Sequence, residues 1–83
     1  MATQPDDRPP LQRALDAAAG LRPGSWESVE TLALLAIEAQ GRSESASLLD
    51  AARSAAAGLK PGTWESVRAL TWLARAEREL AAR

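Results

Sequence analysis

Apolar residues recur three and four positions apart along most of this chain, which is the spacing of one face of an α-helix. The pattern predicts four helices, over about residues 10–19, 26–40, 44–57 and 64–81. The segments between them are short, so consecutive helices are expected to run antiparallel. The predicted fold class is therefore all-α, with four helices in two tandem helical hairpins. Closure as an antiparallel bundle and stacking as a short solenoid both remain open.

The chain repeats itself at an offset of 38 residues (residue 20 to residue 58). The segment AAAGLRPGSWESV at 17–29 returns as AAAGLKPGTWESV at 55–67. Matches at the same offset continue outward to Leu11 and Leu49 on one side and to Ala36 and Ala74 on the other. Self-similarity of this kind indicates tandem copies of one supersecondary unit.

A single helical domain is assigned to residues 10–83, because 83 residues leave room for only one core. Repeat 1 spans about 11–41 and repeat 2 about 49–79. Residues 1–9 are polar and run into a Pro-Pro pair, which predicts a disordered N-terminal tail.

The two repeats carry the same signals for ending one helix and starting the next. Gly20 and Gly58 follow the first helix of each repeat, and we expect a positive φ at both because glycine commonly caps helices in the left-handed conformation. Pro23 and Pro61 are each followed by Gly, which predicts type II turns. The next residue, Ser in repeat 1 and Thr in repeat 2, is expected to be the N-cap of the second helix.

Composition restricts the chemistry. The sequence has no Cys and no His, so it lacks a disulfide framework, the usual zinc ligands and the commonest general base. We expect no enzyme, no cofactor, and no catalytic or metal-binding residues, although carboxylates alone could still hold a metal ion. A net charge of −1 disfavours nucleic acid as a partner. With no long apolar run and no signal peptide, a soluble cytoplasmic protein without membrane contact is expected.

The charge is unevenly distributed. Residues 1–41 carry three Arg and six acidic residues, a net charge of −3, whereas residues 42–83 carry seven basic and five acidic residues, a net charge of +2. Such asymmetry can orient head-to-tail or antiparallel contacts.

Two tryptophans occupy equivalent positions in the repeats. Trp26 and Trp64 open the second helix of each hairpin, and we expect both to be structural and largely buried, packed on Leu21 or Leu59 and on the alanine-rich helix before them. Packing large side chains against small ones is how dense cores are built. The alternative is that both rings form the walls of a small-molecule site.

The predicted inward stripe of the fourth helix consists of Val67, Leu70, Leu73, Ala74 and Leu80. Trp72 lies off this stripe, with Arg68 and Arg75 one helical turn away on either side. The positions equivalent to 72 and 75 in repeat 1 are Leu34 and Ile37. Tryptophan and arginine are enriched at binding hot spots. We therefore predict an interface formed by these five residues, with Trp72 exposed or in contact with another copy.

The stretch from Leu35 to Ala52, with Gly41 at the turn and Ala46 early in the next helix, resembles the helix–turn–helix of a tetratricopeptide-type repeat. This resemblance implies a protein- or peptide-binding scaffold without catalytic residues. The favoured function is thus a non-catalytic module that binds an unidentified protein or a second copy of itself. A small-molecule-binding helical bundle, and a built or reconstructed repeat protein with no biological role, remain as alternatives.

Overall fold

The computed structural model describes residues 7–81 and is all-helical, which confirms the predicted fold class. The four helices are α1 (Pro10–Ala19), α2 (Trp26–Glu38), α3 (Glu44–Ala57) and α4 (Trp64–Ala81). The ends of α1 and α3, and the starts of α2 and α4, keep the 38-residue offset of the sequence.

Most of the predicted N-terminal tail, 1–9, lies outside the described residues. Within the described part, Arg8 forms an ion pair with Asp16 on α1. Pro9 precedes the helix and Pro10 opens it, where its missing N–H group leaves no hydrogen bond unmade.

Helix α2 lies at the centre of the fold and packs extensively against both α3 and α4. Helices α2 and α4 run parallel to each other. Hydrogen bonds connect the two helices, or the residues next to them, near both ends. These bonds are Trp26 Nε1 to the Lys60 carbonyl at 3.1 Å, Arg68 Nε to Glu30 Oε1 at 2.8 Å, and Gln40 Nε2 to the Glu79 carbonyl at 3.4 Å.

The four helices do not close into a bundle. Helix α1 has a small contact with α2, and α1 and α4 are not neighbours within residues 7–81. The described structure is therefore an open arrangement, in which each of the two outer helices has a side that no other helix covers.

The core is built mainly from alanine. The main core consists of the buried residues Val29, Ala33, Ala36, Leu49, Ala52, Ala69, Leu73 and Ala76. A smaller cluster of Leu15, Leu35 and Ala39 joins α1 to α2. Small side chains let the helix backbones approach closely, but they bury little apolar area, so each larger residue at the rim matters for stability.

The predicted positive φ angles at Gly20 and Gly58 are wrong: the observed values are −96° and −91°. Both helices end instead in a tightened last turn. The Gly20 amide donates to the Ala17 carbonyl at 3.2 Å, and the Gly58 amide donates to the Ala55 carbonyl at 3.2 Å. These bonds satisfy the terminal carbonyls without a left-handed residue.

The type II turns predicted at Pro23 and Pro61 are also wrong. Gly24 does not have a positive φ, and the φ of 153° at Gly62 is far from the value that a type II turn needs. The predicted N-caps are confirmed: the Ser25 hydroxyl accepts from the amide of residue 28 at 3.3 Å, and the Thr63 hydroxyl accepts from that of residue 66 at 3.1 Å. Side-chain caps therefore define these turns.

The glycine geometry leads to a first test with two matched variants. Gly58→Ala should leave stability unchanged or raise it by up to about 1 kcal/mol, because its φ suits alanine and the unfolded chain loses freedom. The added Cβ would meet only the Ala55 carbonyl, at an ordinary 3.8 Å. Gly41→Ala should lower stability by about 1 kcal/mol, because Gly41 has a φ of 93°. Urea denaturation of both variants measures the difference, and the opposite order would contradict the helix ends described above.

Candidate functional site

An apolar surface lies along the first three turns of α4. Trp64, Val67, Leu70, Thr71 and Ala74 are all exposed and fall on one side of the helix, opposite its buried residues. Trp64 is 86% exposed and Val67 52% exposed. We call these five residues the α4 face. Large apolar side chains grouped on a surface in this way mark interaction sites in soluble proteins.

The equivalent positions on α2 belong to the core. Val29 corresponds to Val67, and it is fully buried. Ala33 and Ala36, which correspond to residues 71 and 74, are fully buried as well. Because α3 and α4 cover α2, whereas nothing in residues 7–81 covers α4 in the same way, one sequence pattern produces a core on α2 and an open surface on α4.

The prediction that Trp26 and Trp64 are both buried is wrong for Trp64. Trp26 packs against the main core, and its indole donates to the Lys60 carbonyl in the loop before α4. Trp64 remains in solvent. The physical reason is that the partner of Trp26 comes from repeat 2, and no described segment stands in the same relation to Trp64.

Trp72 is less exposed than predicted. It packs against the rim of the main core and is partly buried. The Arg75 guanidinium lies over the ring, 5.3 Å from its centroid, which is a cation–π geometry. The predicted inward stripe is wrong at Val67, Leu70 and Ala74, which are exposed. The face of α4 that is buried instead, formed by Ser66, Ala69, Leu73 and Ala76, lies nearer Trp72, and the long side chain lets the ring reach the core.

The other residues of the predicted interface have partners within the chain. Arg68 pairs with Glu30, whose hydrogen bond and negative charge raise the pKa of the guanidinium above its ordinary value. Leu34 and Ile37 are partly buried, and Ile37 packs against the main core. Their predicted interface role stays a prediction, and the structure does not place them together on an open apolar surface.

Sequence reasoning missed the α4 face although a signal for it was present. Val67 and Leu70 repeat Val29 and Leu32 of the buried helix α2. A terminal element of a stacked array exposes whichever residues its inner equivalent buries. Applying that rule to this stripe, rather than to the neighbourhood of Trp72, would have found the surface.

The geometry does not support a small-molecule site between two indole walls. Trp64 lines two open depressions of about 360 and 340 Å³, and Trp26 lines neither of them. Over residues 7–81, no set of three or more acidic side chains is grouped to hold a metal ion, and no helix has the length and apolar content to cross a bilayer.

No protein-family model matches this sequence, and neither a curated protein nor a solved structure matches it. The tetratricopeptide-like resemblance therefore stays a prediction.

The unequal environments of the two equivalent indoles provide a second test. Trp26→Ala should lower the free energy of unfolding by about 2 kcal/mol, because it removes apolar contact with the core and a hydrogen bond. Trp64→Ala should change it by less than about 0.5 kcal/mol, as is usual for exposed positions. Urea denaturation at low protein concentration measures both. Equal losses would contradict the unequal burial.

Trp72 provides a third test. Because the ring packs on the core rim, Trp72→Ala should lower stability by about 1 kcal/mol or more. Trp72→Phe keeps an aromatic surface under Arg75 and should restore part of that loss. Thermal denaturation of both variants gives the comparison. If Trp72→Ala left the thermal stability unchanged, Trp72 would be exposed, as expected from the sequence.

Proposed function

We propose that this chain is a non-catalytic interaction module that binds a protein, either an unidentified one or a second copy of itself, through the α4 face. The observation that carries the proposal is the exposure of Trp64 beside Val67 and Leu70. Burial of a tryptophan at the centre of an interface commonly supplies a large part of the binding energy. A scaffold of the tetratricopeptide type, which part of the sequence resembles, would have the same kind of role.

Ion pairs that join neighbouring helices support a structural rather than a catalytic use of the charged residues. Arg53 Nε bonds Glu77 Oε2 at 2.8 Å and so joins α3 to α4, while Arg68 and Glu30 join α4 to α2. These side chains connect helices, and Arg53 and Glu77, which also line an open depression of about 400 Å³, are paired with each other there. We propose no cofactor and no nucleic-acid partner, and a cytoplasmic location, which a cysteine-free chain permits.

A photo-crosslinking experiment tests the proposal. A photoreactive amino acid replaces Val67 in the full chain inside expressing cells, and crosslinked products are separated by mass. We expect one or a few discrete products, because a specific partner covers this position. Adding Trp64→Ala should reduce their yield at least tenfold, since it removes the largest contact.

Ser54 supplies the matched control. It is exposed on α3, away from the α4 face, so the same photoreactive residue there should give no discrete product. Equal products from both positions, or none from position 67, would contradict the proposed function.

A further inference from the structure

We infer that the partner is a second copy of this chain, bound head to tail, with the α4 face of one copy on the first hairpin of the next. This inference rests on the proposed function and names its partner. It follows from comparing the contact between the two repeats with the two surfaces that the described structure leaves open.

The contact between the repeats has three recognisable parts. Trp26 donates to the Lys60 carbonyl, and Leu59, beside it in the same loop, packs against the main core. One turn further along, Arg68 pairs with Glu30. Repeat 1 thus contributes an indole and a carboxylate, while repeat 2 contributes a leucine, a carbonyl and a guanidinium.

The two open ends carry the indole and the leucine again without their counterparts, while the charged positions are exchanged, because Arg68 is the repeat 2 equivalent of Glu30. Trp64, equivalent to Trp26, is 86% exposed. Leu21, equivalent to Leu59, is 72% exposed. One end of the described structure therefore presents an exposed indole, and the other end presents an exposed leucine. Joined in the register of the internal contact, Trp64 of one copy would reach the Arg22 carbonyl of the next, since Arg22 is equivalent to Lys60.

The first hairpin also has a surface shaped to receive the α4 face. A groove of about 330 Å³ lies beside Leu21 and is mainly apolar. Its lining includes Ser28, Thr31 and Leu35. The equivalent residues of α4 are Ser66, Ala69 and Leu73. All three are buried in the fold, on the side of α4 that faces α2. The groove in repeat 1 therefore corresponds to the surface of α4 that packs against α2 in repeat 2.

The charge distribution favours the same orientation. Head-to-tail contact brings the half with a net charge of +2 against the half with a net charge of −3 of the next copy. A symmetric contact between two α4 faces would instead bring two positive halves together. Complementary charge selects orientation and suppresses the alternative pairing.

Head-to-tail contacts use two different surfaces, so a dimer leaves one of each surface open. Assembly should consequently continue beyond the dimer as concentration rises, towards a ring or a filament. A symmetric contact would stop at two chains.

Two variants, each lacking one of the two proposed contact surfaces, test the inference. Trp64→Ala removes the indole end, and Leu21→Ser removes the leucine end. Both residues are exposed, so circular dichroism should show folded protein in each case. Sedimentation equilibrium of the unsubstituted chain at concentrations up to about 1 mM, where weak contacts are populated, should show a mass that rises beyond two chains.

Each variant alone should remain at the 8.8 kDa of one chain. An equimolar mixture should form a species of two chains and nothing larger, because each variant keeps the end that the other lacks. Ser54→Asp, at an exposed position of α3, should assemble like the unsubstituted chain.

Four outcomes would overturn the inference. A mixture that stays monomeric while the unsubstituted chain associates would place the contact elsewhere. Leu21→Ser protein that forms a stable dimer would show a symmetric contact. An unsubstituted chain that stays monomeric at every concentration, while position 67 crosslinks to a different protein, would refute head-to-tail assembly and leave the proposed function standing. Absence of both association and crosslinks would refute both.

Discussion

The close approach of α2 to α4 is the contact on which the rest of this structure depends. It places four alanines, Ala33, Ala36, Ala69 and Ala76, in the main core, where small side chains let the parallel helices approach closely. The Trp26 indole and the Glu30 carboxylate hold that register at the edge. Because α2 is covered by α3 as well, it is the only helix of residues 7–81 that packs extensively on two others.

Because the core consists mainly of alanine, the tryptophans beside it contribute much of the buried apolar area. Alanine buries little area, so a chain of this size depends on its few large side chains at the rim. Trp26 and Trp72 each lie partly buried beside the core, one bonded to a neighbouring loop and the other under a guanidinium. Trp64 has the same sequence context as Trp26 and none of its contacts, which makes it available to a partner.

Because the sequence unit occurs twice, the two ends of the described structure expose different surfaces. Two copies of one unit need only one contact between them, so one copy of each contacting surface is left open. Leu21 and Trp64 are those surplus residues, at the two ends of the described structure. The same logic explains why terminal units of repeat arrays usually carry polar outer faces.

The sequence by itself determined the four helices and most of their boundaries, because apolar spacing and the Ser25 and Thr63 caps are local signals, although α2 ends at Glu38 and not at residue 40 as predicted. It did not determine the backbone at Gly20 and Gly58, since two different hydrogen-bonding patterns can end a helix before glycine. Only the tertiary structure decided which indole is buried. Trp26 and Trp64 have nearly identical sequence neighbours. They differ in burial because Trp26 contacts the main core and the Lys60 carbonyl of the other repeat, and no local sequence pattern records such a contact.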